Sequence, residues 1–393
     1  MDLGEPVQAP VIRIVDDPAL LDAQAWNSLL DLQDTPTPFM RHEYLLALHA
    51  SHSAVAQTGW KLQLLCLHEG DALVAACAAY LKSHSYGEYV FDWAWADAYE
   101  RHGLRYYPKL LAAVPFTPVP GSRLLSRSQG ARRLLLRAMR QVCQAHKLSS
   151  AHLLFMDAAD AQAASDEGWM LRQTVQFHWL NREPAPYADF DDFLRSLQRE
   201  KRKKIAQERR RVADAGVSFT SHLGDQIHHG LWDFFYDCYT RTYAAHHSTP
   251  YLTRDFFARM QQHMARHWVM FVAHRDAKPI ACSLLAIEPQ RRHAYGRYWG
   301  CTEYLPCLHF EACYYQPLAW CIENGYQRFE GGAQGEHKMA RGLMPVVTQS
   351  AHWLKHPAFS DAVARHLEQE GSGIEAYVDE LRDRNPYRDK PPA

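Results

Sequence analysis

Apolar residues recur along this chain with two different periods, and the switches between them mark out its elements. Val11 to Val15 reads as a strand, and residues 18–32 as a helix with Asp17 at its N-cap. Pro36-Thr37-Pro38 interrupts the pattern before a second helix over 42–49. Residues 62–67 and 73–80 alternate as two strands around the turn Glu69-Gly70-Asp71. The arrangement returns in the second half, with strands over 269–273 and 280–287 around a turn at 275–279. Tyr-Gly pairs follow both hairpins, at Tyr86-Gly87 and Tyr295-Gly296, and Tyr-Tyr pairs follow those, at Tyr106-Tyr107 and Tyr314-Tyr315. Such spacing points to a duplicated domain.

A second register aligns helices. Residues 129–147 carry Leu135, Met139, Val142 and Cys143 on one stripe and lead to a strand over 151–156. In the second half a helix over 311–324 stops at Gly325 and leads to a strand over 326–330. This register makes 83–121 an insertion, and it is preferred because helix-then-strand order is hard to imitate by accident. The segment Asn181-Arg182-Glu183-Pro184-Ala185-Pro186 reads as a linker. The domains expected are therefore 1–183 and 187–393. Past the linker, Asp189 is expected to cap one helix running to Ala215, with Gly216 as its stop. Helices over 231–245 and 254–267 follow, and the tail from Phe359 reads as helical and charged.

The chain has 393 residues, of which 47% are hydrophobic and 22% charged, with a net charge of −1. That is soluble globular composition, and it excludes a polyanion binder acting through overall charge. The N-terminus lacks the basic and apolar regions of a signal peptide, and no run is long enough to span a membrane. A cytoplasmic protein with reduced thiols is expected. One local exception to neutrality stands out: of the thirteen residues 199–211, eight are basic and two acidic. This helix either offers an anion-facing surface to phosphates or RNA, or is a solvated face on which Glu200 and Glu208 pair with neighbouring cations.

Chemistry is expected at Gly331-Gly332-Ala333-Gln334-Gly335-Glu336-His337-Lys338-Met339-Ala340-Arg341-Gly342. Glycines permit positive φ and close approach to a ligand. After them come groups suited to move a proton, Glu336 and His337, and groups suited to hold an anion, Lys338 and Arg341. A second constellation runs over 83–95. On a strand, Tyr86, Glu88, Val90 and Asp92 would share one face, and Tyr89, Phe91 and Trp93 the other. With His84, Tyr107 and Lys109 it suits a substrate wall for a cationic or sugar-like group. His309 and Glu311 open a predicted helix, where backbone N–H groups favour an anion. Cys301, Cys307, His309, Cys313 and Cys321 lack the paired spacing of a zinc site, so no metal is expected. A metal-dependent enzyme using His309, His337 and His352 is a third reading.

Taken together, HSYGEYVFDWAW, YYPKL, PFTPV, GRYWGC, LHFEACYYQPL, GGAQGEHK and Ser350-Ala351-His352-Trp353 resemble the FemAB-like N-acyltransferases of bacteria. That family is related to the GNAT superfamily and to the Fem aminoacyl transferases of peptidoglycan bridges. The resemblance runs from about Trp60 to Trp353. It implies an α/β protein (α+β layered) of tandem GNAT-like domains, each a mixed twisted sheet flanked by helices, with a cleft between them. It implies acyl or aminoacyl transfer to an amine in peptidoglycan-related metabolism. The alternatives are an acyl-CoA-dependent GNAT enzyme acting on a small molecule or peptide, and a non-catalytic binder of tRNA or cell-wall precursor.

By the same resemblance Lys338 would neutralise the oxyanion, with Arg341-Gly342-Leu343 as an alternative alignment, and Glu336 or His337 would take the proton of the amine. The matching strings supply substrate-binding candidates: His84, Tyr86, Glu88, Asp92, Trp93, Tyr107 and Lys109, then Arg297, Trp299, His309, Glu311, Gln334, Arg341 and His352. The donor is acyl-CoA or aminoacyl-tRNA, and the acceptor an amine-bearing substrate such as a muropeptide precursor, with tRNA contact through the 199–211 helix. Two features depart from the pattern. The long coiled-coil arm of some Fem enzymes is absent. In the acyl-CoA loop motif Arg127 and Gly130 fit, but Arg132 stands where a small residue belongs.

Overall fold

The computed structural model describes residues 9–332 and 335–388. Its contacts divide the chain into two units, Met1–Thr174 with Thr348–Gly373, and Val175–Val347 with Ile374–Ala393. In chain order the first unit holds β1 (Val11–Val15), α1 (Ala23–Asp31), α2 (His42–Ala50), β2 (Trp60–Glu69), β3 (Ala72–Lys82), α3 (Trp93–Arg101), β4 (Lys109–Ala112), β5 (Leu124–Ser126), α4 (Gln129–Ala145), β6 (Ser150–Met156) and α5 (Ala158–Asp166). The chain leaves it within β7 (Met170–Leu180). The second unit holds α6 (Phe190–Ser196), α7 (Arg199–Asp214), β8 (Val217–Leu223), α8 (His229–Ala245), α9 (Arg254–His263), β9 (Trp268–Arg275), β10 (Lys278–Glu288) and β11 (His293–Cys301). It continues with α10 (Leu308–Phe310), a π-helical turn Glu311–Tyr315, α11 (Gln316–Glu323) and β12 (Arg328–Glu330). The chain returns within β13 (Met344–Leu354) and ends in α12 (Pro357–Asp383).

The expected α/β class and helix-then-strand duplication are both present. In the first unit β2, β3 and β4 pair antiparallel, and β6 joins β4 in parallel after α4. In the second, β9, β10 and β11 pair antiparallel, and β12 joins β11 in parallel after α11. Each parallel pair needs the crossover that its helix supplies. Residues of β13 then pair with β6, and residues of β7 pair with β12, both antiparallel. Each sheet is thus completed by a strand from the far end of the other half of the sequence.

The first core gathers Leu65, Leu67, Leu110 and Leu153 from the sheet against Leu135, Met139, Val142 and Cys143 of α4, the stripe expected from the period. The second gathers Val269, Phe271, Leu285, Ile287 and Phe329 against Tyr315, Leu318 and Cys321. Among the described residues no helix is long and apolar enough to cross a membrane.

Four expectations need correction. The 18–32 helix is a short 3-10 turn capped by Asp17, then α1 with its own cap, Asp22, which accepts from Gln24 N at 2.8 Å. The helix expected over 189–215 is broken, because Leu197 is extended and bridges Tyr387, separating α6 from α7. Residues 83–92 form turns rather than a strand, and Trp93 opens α3. Finally, 181–186 does not divide the units. Asn181 donates to Tyr326 O at 3.0 Å and accepts from Tyr187 N at 3.0 Å, tying this segment into the second unit.

Candidate functional site

β12 delivers the glycine-rich segment. Gly331 N donates to Phe177 O at 3.1 Å, and a Cβ there would stand 2.5 Å from Leu343 and 3.2 Å from Lys338 Cδ. Glycine is required because a Cβ would collide with Leu343, and it also leaves room for the lysine stem. Gly332, at φ +84°, presents its carbonyl to Lys338 Nζ at 3.0 Å. Gln334 lies outside the described residues. Glu336–Arg341 then forms a 3-10 turn that closes on Gly342, also at φ +84°.

Lys338 is 4% exposed and, among the described residues, has no carboxylate within ion-pair distance. Burial brings its ammonium down to about 8. Arg341, 3% exposed, is held differently. Its Nη2 donates to both carboxylate oxygens of Glu208 at 2.9 and 3.1 Å, its Nη1 donates to His337 O at 2.7 Å, and its guanidinium lies 3.6 Å from the centre of the Phe310 ring. Tyr315 Oη donates to the same Glu208 carboxylate. The next residue along, Arg209, donates to Glu311 Oε1 at 3.2 Å, and Gln316 donates to that oxygen at 2.7 Å. Glu311 Oε2 is buried and, among the described residues, has no hydrogen-bond partner. The π-helical turn that carries Glu311 is a local widening of a kind frequent at functional sites.

Around the lysine lie imidazoles. His309 packs edge-on against Trp299 at 5.4 Å, and burial followed by His337, Arg341 and Lys338 brings it down to about 4. His337 is exposed, with Nε2 3.2 Å from Tyr314 Oη; burial, then Arg341 and Lys338, lowers it too. Both rings are therefore neutral near pH 7. Glu336 stands apart, exposed, accepting from Tyr377 Oη at 2.7 Å and Arg384 Nη1 at 3.0 Å. Arg297 lies over the Tyr298 ring at 5.0 Å. The fold thus gathers Trp299, His309, His337, Lys338 and Arg341, with Glu311 reached through Arg209.

The first unit brings together a second set. Lys109 Nζ, fully buried, donates to Glu88 at 2.7 Å, Asp92 at 2.5 Å and Ser85 at 2.7 Å, and Ser85 Oγ meets Tyr107 Oη at 2.8 Å. Tyr106 Oη donates to Asp92 at 2.6 Å and lies 3.2 Å from His152 Nε2, whose Nδ1 meets His352 Nδ1 at 2.8 Å. Burial pushes Glu88 up to about 7, whereas burial of Asp92 is outweighed by Lys109, which holds it well below the usual carboxylate range. His84 is tied to Thr58 O at 3.2 Å. The expected strand faces do not exist here. Glu88 and Asp92 are buried, while Tyr86 and Trp93 point outward.

His152 and His178 were not singled out from sequence, and Glu208, Tyr315 and Tyr106 were named there only within longer stretches. One of the two readings of this helix paired Glu208 along its own face, but its partner is Arg341. His178 accepts from Arg328 at 2.7 Å through Nδ1, so its Nε2 carries the hydrogen, facing Gln176 Oε1 at 3.2 Å. Neither histidine lies in a distinctive string. Among the described residues no three metal-ligating side chains converge. The acyl-CoA loop candidate is also engaged elsewhere: Arg132 turns inward to Asp160 at 3.3 Å and Gln33 at 2.5 Å.

A family model described as peptidoglycan biosynthesis/recognition matches residues 18–389. Similar solved structures include L-PGS from Bacillus licheniformis, with a TM-score of 0.53 at 10% identity, covering 89% of this chain and 97% of that one. FemX gives 0.53 at 9% identity, covering 90% and 100%. A conserved protein of unknown function from Bacteroides thetaiotaomicron VPI-5482 gives 0.54 at 9%, covering 88% and 100%. At such identities the likeness is one of fold. A search of curated proteins returns no match.

Proposed function

The chain belongs to the FemAB-like family of peptidoglycan biosynthesis/recognition proteins, and from that premise we propose that its second unit transfers an acyl or aminoacyl group to an amine. The observation that carries this reading is Lys338, a buried ammonium that has a carbonyl but, among the described residues, no carboxylate beside it. A cation held in that way is left to meet negative charge that appears only during reaction. In the proposed step the nitrogen of a neutral amine attacks the carbonyl carbon of an acyl ester or thioester. The carbonyl oxygen gains charge facing Lys338, and collapse forms the amide and expels the alcohol or thiol.

His337 is the better placed proton acceptor. It is neutral near pH 7 and borders the lysine, whereas Glu336 is committed to Tyr377 and Arg384. Arg341 fixes the turn rather than the substrate, since Glu208 already neutralises it. Trp299 and His309 would line the substrate's path. The donor is acyl-CoA or aminoacyl-tRNA, and the acceptor a muropeptide-like amine. Lys338→Ala, assayed with matched donor and acceptor, is expected to lose transfer by roughly a hundredfold or more. Unchanged turnover would remove the proposal.

One observation favours a second reading, that of a nucleic-acid or precursor binder. On α7 the exposed cations Arg199, Lys203, Lys204, Arg210 and Arg211 cover the outer face, and among the described residues only Lys203 of these has an ion-pair partner, Glu200 at 3.7 Å. RNA retained on a filter with steep salt dependence, without transfer, would favour it.

A further inference from the structure

The stretch from Ser85 to Trp93 is folded inside out. Its polar side chains Ser85, Glu88 and Asp92 are buried, while Tyr86, Phe91 and Trp93 are 58%, 56% and 38% exposed. Large aromatic rings ordinarily take the interior and carboxylates the surface. The inversion has a cause in the network beneath. Lys109 draws Ser85, Glu88 and Asp92 inward, and Lys82 Nζ donates to Tyr86 O at 3.2 Å. Arg172 Nη1 grips Phe91 O at 2.7 Å. The backbone accepts positive φ at Tyr89, +63°, a conformation that costs a side-chain-bearing residue energy. The outward rings are ordered among themselves, with Tyr86 edge-on to Trp93 at 5.0 Å and to His84 at 5.4 Å.

We propose that this loop is an aromatic platform that docks the uncharged sugar rings of an N-acetylhexosamine glycan, the class of sugar that peptidoglycan contains. The inference rests on the peptidoglycan-related reading above and adds to it a place and a chemical class. A sugar ring offers apolar C–H faces to stack on Tyr86 and Trp93, and its hydroxyls and amides find the phenol, indole N–H and imidazole at the ring edges. Charge decides between this occupant and others. Lys109 is taken by Glu88 and Asp92, Lys82 lies buried 3.5 Å from the centre of the Trp60 ring, and Arg172 is taken by Glu370 at 2.7 Å. Nucleic acid or an anionic bilayer requires cations to spare, and none of the three that touch this loop is to spare.

The test uses the full chain, isothermal titration calorimetry with a β-1,4-linked N-acetylglucosamine tetramer, and co-sedimentation with purified sacculi and with phosphatidylglycerol vesicles. Tetramer and sacculi are expected to bind, and Tyr86→Ser with Trp93→Ser to weaken both at least tenfold. An unchanged Tm is expected, because both side chains are exposed. Three results would overturn the platform: no saturable glycan binding by the wild-type chain, equal binding by the double variant, or binding to vesicles alone. Amine transfer measured on the same preparation separates the two ideas. Transfer without glycan binding sinks the platform only, and glycan binding without transfer leaves the platform standing while the transferase reading falls.

Discussion

Glu208 and Arg341 lie 133 positions apart in sequence, yet the carboxylate of one meets the guanidinium of the other at 2.9 Å with both side chains buried. The pair fastens α7 to the turn that carries Lys338. Removing one member leaves the other charged and desolvated, which costs about 3–5 kcal/mol. Glu208→Ala and Arg341→Ala are each expected to destabilise the second unit by that amount in urea unfolding. Glu208→Leu combined with Arg341→Met should recover most of it. Additive losses in the double variant would show that the pair is not coupled.

The proposed chemistry carries a pH signature. Burial holds Lys338 near 8, against an ordinary 10.5, so its positive charge fades as pH rises through about 8. His337, lowered from 6.5, must be neutral to take a proton. The rate kcat/KM should therefore rise as pH climbs past the lowered His337 value and fall again above about 8. Lys338→Arg keeps its charge throughout and is expected to abolish the alkaline decline while retaining part of the rate. A pH–rate profile of both proteins decides the matter.

Acid should weaken the first unit. His152, fully buried, is brought down to about 3 by burial and then Lys109, and His352 is lowered well below 6.5 by burial and His152. One Nδ1 must donate to the other, so a second proton would set two N–H groups face to face. Folded-state values below the unfolded 6.5 mean that the unfolded chain binds more protons beneath that pH. The stability from this pair is whole above about 6.5 and is lost as pH falls below it. Urea midpoints measured from pH 7 to 4 should drop, and His152→Gln with His352→Gln should flatten the drop.

If α7 contacts RNA, its outer face is where binding will be lost. Arg199, Lys203 and Arg210 project on one side over about 16 Å at 1.5 Å per residue. Reversing all three to Glu is expected to weaken retention of tRNA more than tenfold and to reduce the salt slope by roughly 2–3. A slope unaltered by the triple change would place the contact elsewhere.

Hydrophobic period alone determined a good deal about this protein. It marked both hairpins, the stripe on α4 and the helix-then-strand duplication, because those rest on contacts among near neighbours in sequence. The glycine-rich turn was legible too, since positive φ at Gly332, Gly335 and Gly342 restricts the residue allowed. What tertiary structure decided was which charges are buried and beside whom. Glu208 was indistinguishable from the solvated glutamates around it until Arg341 arrived from a distant segment. His152 and His352 stand 200 positions apart, on strands whose pairing no local pattern encodes. Even the outward turn of Tyr86 and Trp93 follows from Lys109 claiming Glu88 and Asp92. Local pattern fixes backbone conformation through short-range sterics. The electrostatic state of a side chain is set by whatever the fold brings within a few ångströms, and only the folded chain supplies that.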